Sequence, residues 1–242
     1  SDLRCFDRLA CVLSDIQNMG YEVVLVSSGA IAVGRNKLNM TSKPDSMRMK
    51  QAAAAVGQCS LMYLYDKFFG DYDKTVAQIL LNAEDIEQEE KKENLINTFN
   101  ALLEMGVIPI VNENDSVSYK EIESEDRLFG DNDMLSAVVA VLCRARHLVI
   151  LSDIDGFYDH DPRLYPNAKL IEQIDTIDDS VYALAGGAGS RRGTGGMRTK
   201  LQAAALATSQ GTDTIVTNGK HPEALYDIVK GLHAGTLFPG KI

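Results

Sequence analysis

Glu22-Val23-Val24-Leu25-Val26-Ser27-Ser28-Gly29-Ala30 decides the fold. Its first six residues form a short β-branched run, the pattern of a strand covered on both faces. Ser28-Gly29-Ala30 ends the run, and a helical stretch follows to about Leu38. On the other side, Leu3, Phe6, Leu9, Leu13 and Ile16 recur at helical spacing until Gly20 stops them. Helix, doubly covered strand and helix again is the rhythm of an α/β protein.

The rest of the chain repeats that rhythm. Strands are expected at 75–81, 107–111, 147–151, 214–217 and 235–238, with a further short candidate at Leu170-Ile171. Helices are expected at 51–57 and 58–69, separated by a stop at Gly57, and as one long helix over 84–105. Another is opened by Gly130-Asp131-Asn132-Asp133 and runs through Leu142, and others cover 178–185 and 222–230. The charge run Glu87 to Glu93 reads as the solvated face of its helix. The predicted architecture is α/β, a three-layer αβα sandwich with a mostly parallel central sheet. No Pro/Gly/Ser linker divides it, so a single domain is expected over 1–242, with two lobes at most.

The 242 residues, 45% of them hydrophobic, suffice for a sizeable core. A net charge of −10 argues against a general nucleic-acid or anionic-membrane binder. The four cysteines, Cys5, Cys11, Cys59 and Cys143, stand singly in apolar or helical stretches, without metal-ligand spacing, and are expected to be buried free thiols of a reducing compartment. No 18-residue apolar run or signal peptide is visible, which makes the expected location the cytoplasm.

In open α/β sheets, ligands bind outside the carboxyl ends of the strands. Four strand ends here carry small or polar residues: Ser27 to Ala30, Asn112 to Asp115, Ser152-Asp153, and Thr217-Asn218-Gly219. Each alone has a plainer reading as a turn or cap; all four on one edge point to a polar site. Ser28, Gly29 and Ala30 offer a hydroxyl and bare backbone N–H groups suited to a carboxylate. Asp115 and Asn132 suit an ammonium group and a polar tail. Asp133 fits an anchor for lysines at a phosphoryl-transfer centre, or a carboxylate answering its helix dipole. Asp131 is a candidate N-cap. Asp153 suits a lysine or nucleotide partner, or a loop cap. Arg163 is a candidate neighbour of a nucleotide base or ribose, but it lies in an Asp-Pro turn, and the turn accounts for it without a ligand.

Gly193-Thr194-Gly195-Gly196-Met197-Arg198-Thr199-Lys200 ends a loop of glycine, small residues and arginine from Ala185 onward. It is expected to be loop up to a helix carrying Leu201, Ala204, Ala205 and Ala207, with Lys200 in the first turn and Gly211 as the stop. Backbone N–H groups at a helix start and a nearby lysine make a phosphate cradle, though not the Walker spacing. No G-x-S-x-G elbow occurs, and no histidine has a catalytic setting.

These segments resemble the glutamate 5-kinase family of the amino acid kinase superfamily. The match runs in order through 24–31, 54–58, 78–81, Ile110 to Asp115, Gly130 to Asp133, 151–158, Gly193 to Lys200, and Gly235 to Phe238. The paired Asn-Glu-Asn-Asp and Gly-Asp-Asn-Asp motifs are its most particular part. The resemblance implies an amino acid kinase fold and transfer of the ATP γ-phosphoryl group to the side-chain carboxylate of L-glutamate. That reaction is the first step of proline synthesis. It implies glutamate contacts from Ser28, Gly29, Ala30, Asn112, Asp115 and Asn132. ATP contacts would come from Ser152, Asp153, Thr194, Gly195, Gly196, Met197, Arg198, Thr199 and Lys200. Lys200 would neutralise the transferred group, Asp133 would hold the lysines, and Mg²⁺ would ride on the ATP phosphates, with no metal ligands from the protein. The glutamate part would be about 1–145 and the nucleotide part about 146–242.

The resemblance further implies a homodimer or homotetramer and proline as a candidate feedback inhibitor. The family opens with a strand of the type Val-Lys-x-Gly-Ser; the printed chain opens on the following helix, so that first strand is expected to be missing from it. The segment Ser116 to Phe129, with Glu121, Glu123, Glu125 and Asp126, reads as an enlarged flap, and no C-terminal PUA domain is expected. Two alternatives stay open: a non-catalytic glutamate- or proline-sensing domain, and a sister kinase acting on acetylglutamate or isopentenyl phosphate.

Overall fold

The computed structural model describes residues 3–117, 132–185 and 194–241. The chain forms two compact units, Ser1–Asn132 and Asp133–Ile242. The predicted flap residues from 118 to 129, Gly130, Asp131 and Gly193 lie outside the described residues.

The first unit runs α1 (Leu3–Asn18), β1 (Leu25–Val26), α2 (Ala30–Lys37), α3 (Met47–Gly70), β2 (Val76–Leu81), α4 (Ala83–Glu87), α5 (Glu89–Glu104) and β3 (Ile108–Glu113). Its sheet has the order β1-β3-β2 and is parallel throughout, with Ile110 beside both Leu25 and Gln78. Five consecutive residues of β3, from Ile108 to Asn112, are buried, so both faces of the sheet are covered. The chain leaves β1 for β2 on the far side of β3 and returns to the middle. That reversal leaves a crevice at the carboxyl ends of β1 and β3.

The sequence divides α3 at Gly57, yet the helix is continuous from Met47 to Gly70. Here glycine serves an approach between backbones. A Cβ on Gly57 would lie 1.7 Å from the carbonyl oxygen of Ala30, and one on Gly34 would lie 1.8 Å from that of Ala53. The two glycines let α2 and α3 touch backbone to backbone, and this packing outweighs the cost of glycine within a helix, about 1 kcal/mol. The single helix expected over 84–105 is two. Asn82 caps α4 in a reciprocal box with Asp85, and Gln88 is extended (φ −88°, ψ 112°) before α5 restarts.

The second unit runs α6 (Asn132–Leu142), β4 (His147–Ser152), α7 (Asp179–Ala185), α8 (Thr194–Ser209), β5 (Asp213–Asn218), α9 (Ala224–Val229) and β6 (Thr236–Phe238). β5 is central, parallel to β4 and antiparallel to β6. The expected mostly parallel α/β arrangement is present, as two three-stranded sheets. Leu170 forms only an isolated bridge to Tyr158. The core joins Ala137 and Ala140 of α6, Leu148 and Ile150 of β4, Leu201, Ala203, Ala204 and Ala207 of α8, Val216 and Phe238. Thr236 is fully buried with its hydroxyl satisfied: it accepts from Phe157 N–H (2.7 Å) and donates to Ile171 O (2.6 Å).

His147 opens β4 with a buried Nδ1 that has no hydrogen-bond partner, 3.7 Å from Asp213 Oδ2. Burial lowers its pKa from 6.5, against the opposing pull of Asp213. The unfolded chain therefore binds this proton more readily than the folded one. Stability is expected to be flat above about pH 6.5 and to fall as pH drops below it. Chemical denaturation across pH 5–8 should show this slope, and His147→Gln should reduce it. Gly57→Ala should cost about 3 kcal/mol or more, because backbone must move rather than a side chain; the shift in denaturation midpoint measures it.

Candidate functional site

A cleft of about 300 Å³ opens at the carboxyl ends of the first unit's strands, near the lower bound of small-molecule sites, roughly 300–1,000 Å³. Gln78 and Leu80 of β2 line it, together with Glu113, Asn114, Asp115 and Ser116 at the end of β3. Ala30 of α2 and Ala54, Ala55, Gln58 and Cys59 of α3 complete the wall. The α2–α3 contact brings the last two groups together.

Asn112 stands behind this wall, 2% exposed. Its Nδ2 donates to Gln58 Oε1 at 2.9 Å, and its Oδ1 accepts from Glu113 N–H at 2.9 Å. Gln58 Nε2 reaches Gln78 Oε1 at 3.4 Å. The turn after β1 is pinned twice: Ser27 N–H donates to Val111 O at 2.7 Å, and the Ser27 and Tyr65 hydroxyls meet at 2.8 Å. Burial raises the Tyr65 pKa, with the Ser27 hydrogen bond opposing it, so this bond stays neutral at physiological pH. Gly29 then takes φ +86°, a left-handed value that favours glycine, and caps α2.

Of the residues expected to hold glutamate, Ala30 and Asp115 line the cleft. Ser28 and Gly29 are exposed in the turn before α2, and Asn112 backs the wall. Asn132 is the half-buried first residue of α6. Gln58 and Gln78 received no role from the sequence, although both fall in the segments that carry the family resemblance.

In the second unit, Lys200 Nζ lies 2.8 Å from Asp133 Oδ2, with side-chain exposures of 15% and 17%. Thr199 Oγ1 donates to the same oxygen at 3.0 Å. The first turn of α6 thus carries a carboxylate that fixes a cation and a hydroxyl of α8. The loop expected before α8 extends less far than predicted: Thr194, Gly195 and Gly196 are already helical, so Lys200 is in the second turn. The alanine-rich run of α8 propagates helix back through both glycines. Met197 packs on the core, while Gly196 and Arg198 are exposed.

At the ends of β4 and β5, Ser152 Oγ approaches Asp153 Oδ1 at 3.4 Å, and Gly219 N–H donates to Ser152 O at 2.8 Å. Arg163 Nη2 pairs with Asp153 Oδ2 at 3.0 Å. Both side chains are exposed, so this pair adds about 0–1 kcal/mol of stability at most. Asp155 accepts from Asn218 Nδ2 at 2.8 Å and from Tyr158 Oη at 3.1 Å. Burial and that bond raise the Tyr158 pKa. The sequence reading left Arg163 to its turn and passed over Asp155; neither partnership was legible from local sequence.

A carboxylate-fixed lysine beside a helix start suits an anionic group, and the polar-walled cleft suits a small polar acceptor. The profile of the amino acid kinase family matches residues 1–218.

The chain belongs to the amino acid kinase family.

Within this family it is 55% identical to a protein of Clostridium perfringens named glutamate 5-kinase, over 99% of this chain and 89% of that one. It is 49% identical to the Listeria innocua glutamate 5-kinase, over 99% of this chain and 87% of the relative. Solved amino acid kinase folds superpose on it. Carbamate kinase from Giardia lamblia, bound to AMP-PNP, gives a TM-score of 0.65 at 16% identity, covering 96% of this chain and 89% of its own. Isopentenyl phosphate kinase of T. acidophilum gives 0.63 at 19%, covering 98% and 91%. Among the described residues, no helix is long and apolar enough to cross a membrane.

Removing one member of a largely buried ion pair strands the other. Asp133→Ala is expected to cost roughly 3 kcal/mol, and the double variant with Lys200→Ala clearly less than the sum. Denaturation midpoints of the four proteins in the cycle measure this coupling.

Proposed function

We propose that this chain transfers the γ-phosphoryl group of ATP to the side-chain carboxylate of L-glutamate, forming γ-glutamyl phosphate for proline biosynthesis. The observation that carries the proposal is the 55% identity, across 99% of the chain, to a protein named glutamate 5-kinase. A glutamate oxygen bonds to the γ-phosphorus, the bond from that phosphorus to the bridging oxygen breaks, and ADP leaves. The attacking carboxylate is ionised at neutral pH, so no proton has to be removed. Catalysis then rests on positioning and charge neutralisation.

In this reading Lys200 stabilises the transferred group and Asp133 holds it in position. Ser152, Asp153 and the stretch Thr194, Gly195, Gly196, Met197, Arg198, Thr199 and Lys200 bind ATP. Ser28, Gly29, Ala30, Asp115 and Asn132 bind glutamate, and Asn112 acts through the cleft wall. Mg²⁺ on the ATP phosphates supplies further charge neutralisation. The proposal extends to a single kinase domain with a glutamate part and a nucleotide part, working in the cytoplasm as a homo-oligomer that proline inhibits.

Hydroxylamine trapping of an acyl phosphate, with coupled ADP release, tests the reaction. Glutamate should yield hydroxamate in proportion to ADP, and Lys200→Met should lower kcat at least about 100-fold, as loss of a transition-state charge partner does. Rates with acetylglutamate equal to or above those with glutamate would overturn the assignment.

A further inference from the structure

The wall of the first unit's cleft has a hydrogen-bonding direction as well as a shape. A backbone N–H can only donate, so Glu113 N–H fixes Oδ1 of Asn112 as the acceptor. The buried Asn112 must then turn Nδ2 outward, and Gln58 must answer with Oε1. That leaves the Gln58 amino group facing away from Asn112, where its long 3.4 Å contact with Gln78 Oε1 engages at most one of its two hydrogens. Gln78, showing its oxygen to Gln58, turns its own amino group onward. One backbone amide therefore sets three side-chain amides head to tail, and the last two line the cleft.

The rest of the lining defines what those donors meet. No lysine or arginine occurs among the described lining residues, whereas Glu113 and Asp115 are both present. An acceptor that carries an ammonium group as well as carboxylates offers a partner both to these acidic side chains and to the amide donors. An α-amino acid head group carries both, with the carboxylate directly beside the ammonium carbon.

We infer that Gln58 and Gln78 are specificity-determining residues that donate to the α-carboxylate of the acceptor amino acid. This assignment rests on the reading of glutamate as acceptor. Hydrogen bonds from neutral donors to a carboxylate are strong enough that losing one lowers affinity roughly 10- to 100-fold.

The test uses the full chain with Gln58→Met and Gln78→Met, which keep side-chain length and remove the donors. The probes are L-glutamate and 4-aminobutyrate, which keeps the ammonium and the reacting carboxylate but lacks the α-carboxylate. Gln58→Met should raise KM for glutamate roughly 10- to 100-fold, with kcat and KM for ATP within about threefold of the parent. The inhibition constant of 4-aminobutyrate should stay within about twofold, because that ligand offers the glutamines nothing to bind. Gln78→Met changes an exposed side chain that is not itself hydrogen-bonded to the buried Asn112, and it should move the same constants in the same direction while melting with the parent protein. An unchanged glutamate KM in both variants would overturn the inference. So would equal weakening of glutamate and 4-aminobutyrate, the mark of a purely structural role. If the parent chain does not phosphorylate glutamate, the kinase assignment falls, and calorimetric glutamate binding to parent and variants decides the inference separately: weaker binding by the variants supports it, and equal binding or none to the parent overturns it.

Discussion

Two helices in this protein meet without side chains between them. Gly34 of α2 and Gly57 of α3 present bare Cα atoms to the carbonyls of Ala53 and Ala30, at distances that leave no room for a methyl group. The contact determines how far the turn after β1 stands from the helix carrying Gln58 and Tyr65. Ser27 and Tyr65 could not share a 2.8 Å hydrogen bond if the helices stood one side-chain layer further apart. The same contact sets Ala30 of α2 beside Ala54, Ala55 and Gln58 of α3 in the wall of the cleft.

The second unit reaches order by a different route. Its centre is largely apolar, with alanines of α8 and α6 packed on β4 and β5, and the buried hydroxyls of Thr208, Thr212 and Thr236 are satisfied by hydrogen bonds. At the edge of that core, a lysine is held by a carboxylate with little solvent around either. Such an arrangement adds little net stability, since desolvation offsets attraction. Its result is a cation held at a fixed position on the structure.

Much of this was legible in the sequence. The strands 75–81, 107–111, 147–151 and 214–217 were visible because parallel strands covered on both faces read as unbroken apolar runs, and each lies within a residue or two of its observed place. The polar strand ends followed from the same runs. Gly57 was misread because a glycine stop and a glycine contact look alike until the opposing backbone is known. The long helix over 84–105 hid a break at Gln88: this residue has good helix propensity, yet its backbone is extended between α4 and α5. Lys200 was placed a turn too early, since glycines suggested loop where α8 had already begun. The glutamines of the wall and the partner of Arg163 depend on residues tens of positions away, and no local pattern announces them.

The glycine contact has a consequence for how the molecule responds to its surroundings. Backbone packed on backbone carries no titratable group and no exposed charge, so neither pH nor dissolved salt has a direct hold on it. The dimensions of the first unit's cleft are thereby insulated from the ionic medium. Lys200 and Asp133 of the second unit are held together by charge, which dissolved salt screens, though less where solvent is scarce. A change in ionic strength therefore acts on the two units unequally, altering how strongly charge is attracted in one while leaving the shape of the cleft in the other as it was.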